Sequence, residues 1–311
     1  MILIMNPSSL GSAANRLLLL LLLGAGLVTS CADEQPADTG SVEIVVSTTI
    51  LGDLVRNLVG DAAEVEVLLP IGADPHDFQV SSQQVASMLD ADLIIVNGLG
   101  LEAGMEDVLE EVIADGAPVI EIGPHVDPLP LGDDPGQLDP HIWMDPLRMA
   151  DAAAIIVTEL ADSFPSIDWS AMADRHSTEL HAADDEIRLI LSTVPDENRT
   201  LVTNHESLGY FADRYGFVVV ATVIPGGSTL AEPSSADLAA LVDVIEREKV
   251  PAIFAETIAP NSLANAVAAE ADHEVAVVEL FTESLGEPGS GGETLIDMLL
   301  TDARRIADSL S

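Results

Sequence analysis

Short apolar runs alternate with helical patterns twice along this chain, and one long, unbroken amphipathic stretch separates the two series. That order constrains the fold more than any other feature. In the first series, residues 42–47, 63–69, 92–97 and 118–122 read as strands. Helical patterns over 50–59, 81–88 and 101–114 lie between them, the second with Ser81 or Ser82 as its cap. The Leu-Ile-Ile-Val run inside 92–97 marks a buried strand. In the second series, strands are expected at 200–203, 218–223, 252–255 and 275–280, with helices at 208–215, 235–249, 262–271 and 293–309. Strand–helix–strand order predicts parallel sheets covered by helices. Between the series come a Pro-, Gly- and Asp-rich loop at 123–139, a helix at 146–164, and one long helix over 168–194. The expected fold is therefore α/β, with two parallel-sheet lobes, 42–165 and 198–311, joined by one long helix within 166–197.

The first residues read as an address. Residues 17–28 form an apolar run broken only by Gly and Ala and preceded by Arg16. The run is shorter than the roughly 20 residues that span a bilayer, and residues 1–30 fit a secretory signal. It ends in Val28-Thr29-Ser30-Cys31, which looks like a bacterial lipobox. Cys31 is the only cysteine, so it has no internal disulfide partner. Cleavage before Cys31 and its lipidation are expected, with residues 31–41 as a flexible tether. The folded body would then be exported, either anchored to the outer face of the cytoplasmic membrane or periplasmic.

The formal charge is −42, and Lys249 is the only lysine. Such a surface repels nucleic acid and anionic lipid, which excludes a nucleic-acid role. It suits a salty medium, where counter-ions screen self-repulsion, and it also draws cations.

Three histidines stand beside turn-forming or acidic residues: His76 in Gly72-Ala73-Asp74-Pro75-His76-Asp77, His141 in Asp139-Pro140-His141-Ile142-Trp143-Met144-Asp145, and His205 in Thr203-Asn204-His205-Glu206. They are too far apart for any local metal motif, so only the fold can bring them together. If it does, the result is a buried transition-metal site. His76, His205 and Glu283 each come soon after a predicted strand, where ligands of open α/β sheets bind. Imidazole suits zinc, manganese, iron and nickel, and Glu283 is the best fourth ligand. A monodentate Glu283 would close four-coordinate zinc, whereas a bidentate one suits manganese better. Asp145 and Glu206 adjoin ligands and could orient imidazole N–H groups. Trp143 reads as packing. His176 and His181, five apart on the long helix, read as surface residues, and His273 as a solvated turn residue. His125 reads as a loop residue or an auxiliary cation contact.

Five motifs occur in order: Gly72-Ala73-Asp74-Pro75-His76, the His141 segment, Thr203-Asn204-His205, Phe254-Ala255-Glu256 and Thr282-Glu283-Ser284-Leu285-Gly286. Together with the lipobox they resemble the metal-binding lipoproteins of zinc/manganese ABC importers, over nearly all of 42–309. The resemblance implies two α/β lobes, a rigid linking helix and a metal in the cleft, held by His76, His141, His205 and Glu283. The family usually carries aspartate where this chain has Glu283. Glu256 matches an acidic residue beside the family's site. The implied function is high-affinity binding of a divalent metal, zinc favoured and manganese the alternative, for delivery to an ABC permease by a monomer without catalysis. A secreted zinc-dependent hydrolase, with Glu206 or Glu256 as base, is the alternative from another class. No His-Glu-x-x-His motif supports it, and a closed coordination sphere would argue against it. A surface adhesin with incidental metal is a third reading.

Overall fold

The computed structural model describes residues 41–132 and 134–311. The apolar leader, Cys31 and the tether up to residue 40 lie outside the described residues.

The first series folds into β1 (Val42–Val46), α1 (Thr49–Val59), β2 (Ala63–Val67), α2 (Ser82–Asp90), β3 (Leu93–Val96), α3 (Glu106–Ala114) and β4 (Val119–Glu121). The four strands form one parallel sheet in the order β2-β1-β3-β4. Helices cover both faces of the sheet, so central strands lack polar alternation. All four residues of β3 are buried, and Val46 pairs with Val67 on one side and Ile95 on the other. Ser81 caps α2 in a reciprocal box with Gln84, which chooses between the two serines the sequence offered.

The segment expected as a loop at 123–139 contains a short antiparallel pair, β5 (Pro130–Leu131) and β6 (Asp134–Leu138). Its Pro, Gly and Asp content hid the pairing, because these residues are depleted in strands. Then come α4 (Pro146–Ser163), opened by Asp145 as cap and Pro146 at its first turn, and α5 (Ser170–Leu191). At 1.5 Å per residue, the 22 residues of α5 span about 33 Å. Leu180, Ala183, Ile187 and Leu191 form its buried stripe, at the three- and four-residue spacing of one helix face.

The second series gives β7 (Thr200–Thr203), α6 (Gly209–Tyr215), β8 (Val218–Thr222), α7 (Ser235–Glu248), β9 (Ala252–Glu256), α8 (Ser262–Glu270), β10 (Ala276–Leu280) and α9 (Leu295–Leu310). Its sheet is again fully parallel, ordered β10-β9-β7-β8. α5 packs against α4 and α1 on one side of the chain and against α9 on the other. One apolar core therefore runs from Ile44 and Leu54 through Ile156 and Ile187 to Phe254 and Ile306.

A polar knot pins α5 to its neighbours. Asp184 on α5 accepts two bonds of 2.7 Å from Arg214 on α6, one of 3.0 Å from the Tyr215 hydroxyl and one of 3.2 Å from Arg188. Arg214 also lies 3.1 Å from Asp145, the cap of α4. Burial pushes the Asp184 carboxyl upward, but the Arg214, Tyr215 and Arg188 partners outweigh it and hold the group below the usual aspartate range. Asp145 is thus spent on a helix end and an arginine, and not on an imidazole as the sequence suggested. Among the described residues, no helix is long and apolar enough to cross a membrane.

Candidate metal centre

Both parallel sheets send the segments beyond their strand ends to one place. His76 lies between β2 and α2, His141 between β6 and α4, His205 just past β7, and Glu283 just past β10. All four are buried, and one ligand atom from each lies within 4.8 Å of the others. The Nε2 atoms of His141 and His205 are 3.1 Å apart. Glu283 Oε1 is 3.4 Å from His141 Nε2 and 3.5 Å from His205 Nε2, while Oε2 is 3.8 Å from His76 Nε2. Neither Glu283 oxygen nor His76 Nε2 has a hydrogen-bond partner, although all three atoms are buried. Buried polar atoms are normally satisfied. Four side chains converging, with three unpaired atoms on two of them, is the arrangement a cation would satisfy.

Each side chain is aimed by local chemistry. The Asp139 Oδ1 atom accepts from the His141 backbone N–H at 2.9 Å and faces its Nδ1 at 2.7 Å. Fixing Nδ1 in this way leaves Nε2 to the site. Asn97, at the end of β3, donates to the Pro140 carbonyl at 2.9 Å, and Tyr210 donates to the Asp139 carbonyl at 2.7 Å, so both halves of the chain hold this turn. His205 Nδ1 faces Glu256 Oε1 at the end of β9, and the other Glu256 oxygen accepts from Asn204 at 2.9 Å. Trp143 stacks edge-on to His141 and donates to the Thr282 carbonyl at 2.6 Å, which ties the His141 turn to the Glu283 turn. Asp302 on α9 steadies the same turn by accepting from the Phe281 N–H at 3.1 Å.

Electrostatics follow from burial. Desolvation, then the neighbouring His141 and His205, lower His76 to about 2, so it stays neutral. Burial raises Glu283 to about 7. Burial would lower His205, but the Glu256 charge and hydrogen bond override it and raise His205 to about 9. Burial likewise pushes Glu256 up, yet its His205 and Asn204 partners draw it below the usual range.

Several sequence readings need correction or relocation. Glu206 does not orient His205: that role falls to Glu256, while the Glu206 carboxylate lies against Gly132. Glu256 is held by His205 and Asn204, away from the general-base role a hydrolase would give it. Asp139, given no role by the sequence, is visible there as an acid two residues before His141. His176 is buried, at 2% exposure, not on the surface. Five residues turn a helix by about 500°, so His176 and His181 face different ways, and only His181 is exposed. His273 is half-buried against Asp272 and the Val250 carbonyl. His125 is exposed in a short turn and is not one of the four clustered residues.

Residues 44–309 match the family described as zinc-uptake complex component A, periplasmic. A manganese-binding lipoprotein of Halalkalibacterium halodurans is 31% identical over 88% of this chain and 92% of its own length. An iron-binding protein of Yersinia pestis is 31% identical over 83% of each chain. Among solved structures, the periplasmic zinc-binding protein TroA of Treponema pallidum superposes with a TM-score of 0.81 at 26% identity, covering 88% of this chain and 100% of its own.

Proposed function

This chain belongs to the periplasmic zinc-uptake component family, and from that premise we propose that it captures a divalent transition metal through His76, His141, His205 and Glu283. It is the extracytoplasmic metal-binding component of an ABC metal importer, and the metal is its cargo. The observation that carries the site assignment is the convergence of four buried donors, three of their ligand atoms unpaired. On this reading Asp139 and Glu256 orient the imidazoles, Cys31 carries the lipid anchor, and the protein works as a monomer that hands metal to a permease. The lobes divide as 42–165 and 198–311, with 166–197 linking them. No catalytic step is needed.

Zinc is the favoured cargo. A tetrahedron with arms of about 2.05 Å has edges of about 3.3 Å. The separations among His141, His205 and Glu283, at 3.1, 3.4 and 3.5 Å, lie close to that edge. Manganese is the second reading, favoured by both Glu283 oxygens facing imidazoles, which permits bidentate binding and higher coordination.

The test is competitive metal affinity of the soluble body from residue 42, together with the spectrum of its cobalt form. Stoichiometric zinc and a tetrahedral cobalt spectrum support zinc import. Tighter manganese binding with a higher-coordinate spectrum moves the reading to manganese. No tight metal at all overturns it.

A further inference from the structure

His76 differs from the other two histidines in how it is held. His141 and His205 each have a carboxylate on Nδ1, supplied by Asp139 and Glu256. Among the described residues, no carboxylate bonds the ring of His76. Its restraint comes through the backbone: the His76 N–H donates to Asp74 Oδ1 at 2.9 Å. The other oxygen of Asp74 accepts from the Thr229 hydroxyl at 2.5 Å. Thr229 belongs to the opposite half of the chain, in the segment between β8 and α7. A second bond crosses at the start of the same turn, where the Gly72 N–H donates to Ser284 Oγ at 2.9 Å, next to Glu283.

The turn carrying His76 is therefore placed by the second lobe at two points, and neither α2 nor β2 includes it. Asp74 links Thr229 on one oxygen to His76 on the other. Losing the Thr229 bond frees the Asp74 carboxylate to rotate, and the His76 backbone loses its fixed acceptor. His141 and His205 would be unaffected, because their orienting carboxylates are bonded independently of Thr229.

We propose that Thr229 is a positioning residue that acts through Asp74 to keep His76 on the metal, so that the Thr229–Asp74 bond sets the rate of metal release. The proposal rests on the metal-site reading above. Thr229 is half-buried at the edge of the site, so a near-isosteric change there does not disturb the core.

The experiment compares wild type, Thr229→Val and Thr229→Ser, each loaded with zinc or manganese, by stopped-flow release to a chelator, with association rate and Tm measured alongside. Val keeps the shape and removes the donor, whereas Ser restores it. A hydrogen bond to a charged acceptor is worth enough to change a rate on the order of 10-fold. The expected result is release about 10-fold faster in Thr229→Val, with association rate and Tm unchanged, and release within about 2-fold of wild type in Thr229→Ser. Wild-type release in Thr229→Val, or equally fast release in both variants, overturns the role of Thr229 and leaves the metal site standing. Wild-type protein that takes up neither metal overturns the site reading and this inference together.

Discussion

Replacing Glu283 with Gln keeps the shape of the side chain and removes its charge, and the two effects of that change have opposite signs. Without metal, Glu283 is buried among three imidazoles with both oxygens unpaired, and burial raises it from 4.5 to about 7. A carboxyl with a raised folded pKa favours folding below its unfolded value and loses that contribution as pH rises through the folded value. The window here runs from about 4.5 to about 7, and the full loss is on the order of 3 kcal/mol at 1.36 kcal/mol per pH unit. Metal-free Glu283→Gln should therefore match wild type at pH 4.5 and exceed it by about 2–3 kcal/mol at pH 8. With metal the order reverses. Removing one partner of a buried charge pair costs about 3–5 kcal/mol, so metal affinity should fall by roughly 100-fold or more. Urea denaturation with chelator across this pH range, repeated with saturating metal, measures both effects. If Glu283→Gln gains nothing at pH 8 without metal, or binds metal within about 3-fold of wild type, the reasoning fails.

Three further outcomes follow from the same geometry. Asp139→Asn should lower metal affinity about 10- to 100-fold, because the partner that fixes the His141 ring loses its charge; calorimetric titration showing wild-type affinity would refute the orienting role. Metal binding near pH 7 should release protons, because Glu283 and His205, raised to about 7 and about 9, hold them in the metal-free protein. Binding heats that do not vary with the ionisation enthalpy of the buffer would contradict this. Arg214→Met should destabilise the fold by about 1.5–3 kcal/mol, since it takes two charged hydrogen bonds from the buried Asp184 carboxylate and leaves it only Tyr215 and Arg188. A urea midpoint unchanged from wild type would count against that knot.

The strands and most helices were legible because their signals are local. Ile44–Val46 and Leu93–Val96 are apolar runs that only a two-sided sheet can bury. The Ser81 box and the Asp145-Pro146 start are written in consecutive residues. The antiparallel pair at Pro130–Leu138 was not legible, because its residues look like turn formers and the pairing is fixed by surrounding contacts such as Tyr210 to Asp139. The side chains gathered at the centre stood out by motif and by resemblance. Of the carboxylates that face their rings, Glu256 was marked by the resemblance alone and Asp139 was not marked, because adjacency along the chain is a poor guide to adjacency in space. Asp145 and Glu206 sit near His141 and His205 in sequence, yet Asp145 turns to Arg214 while Glu256, 51 residues from His205, takes its ring. His176 was misplaced for a related reason: α5 is covered on more than one side, and the sequence of one helix does not say which neighbours cover it.

The central claim is that His76, His141, His205 and Glu283 hold one metal ion together. Anomalous diffraction from crystals of the metal-loaded body tests it most directly. The account predicts a single strong peak within about 2.0–2.2 Å of the three Nε2 atoms and of a Glu283 oxygen. A peak elsewhere, or one bound by only some of these side chains with water completing the shell, would contradict it.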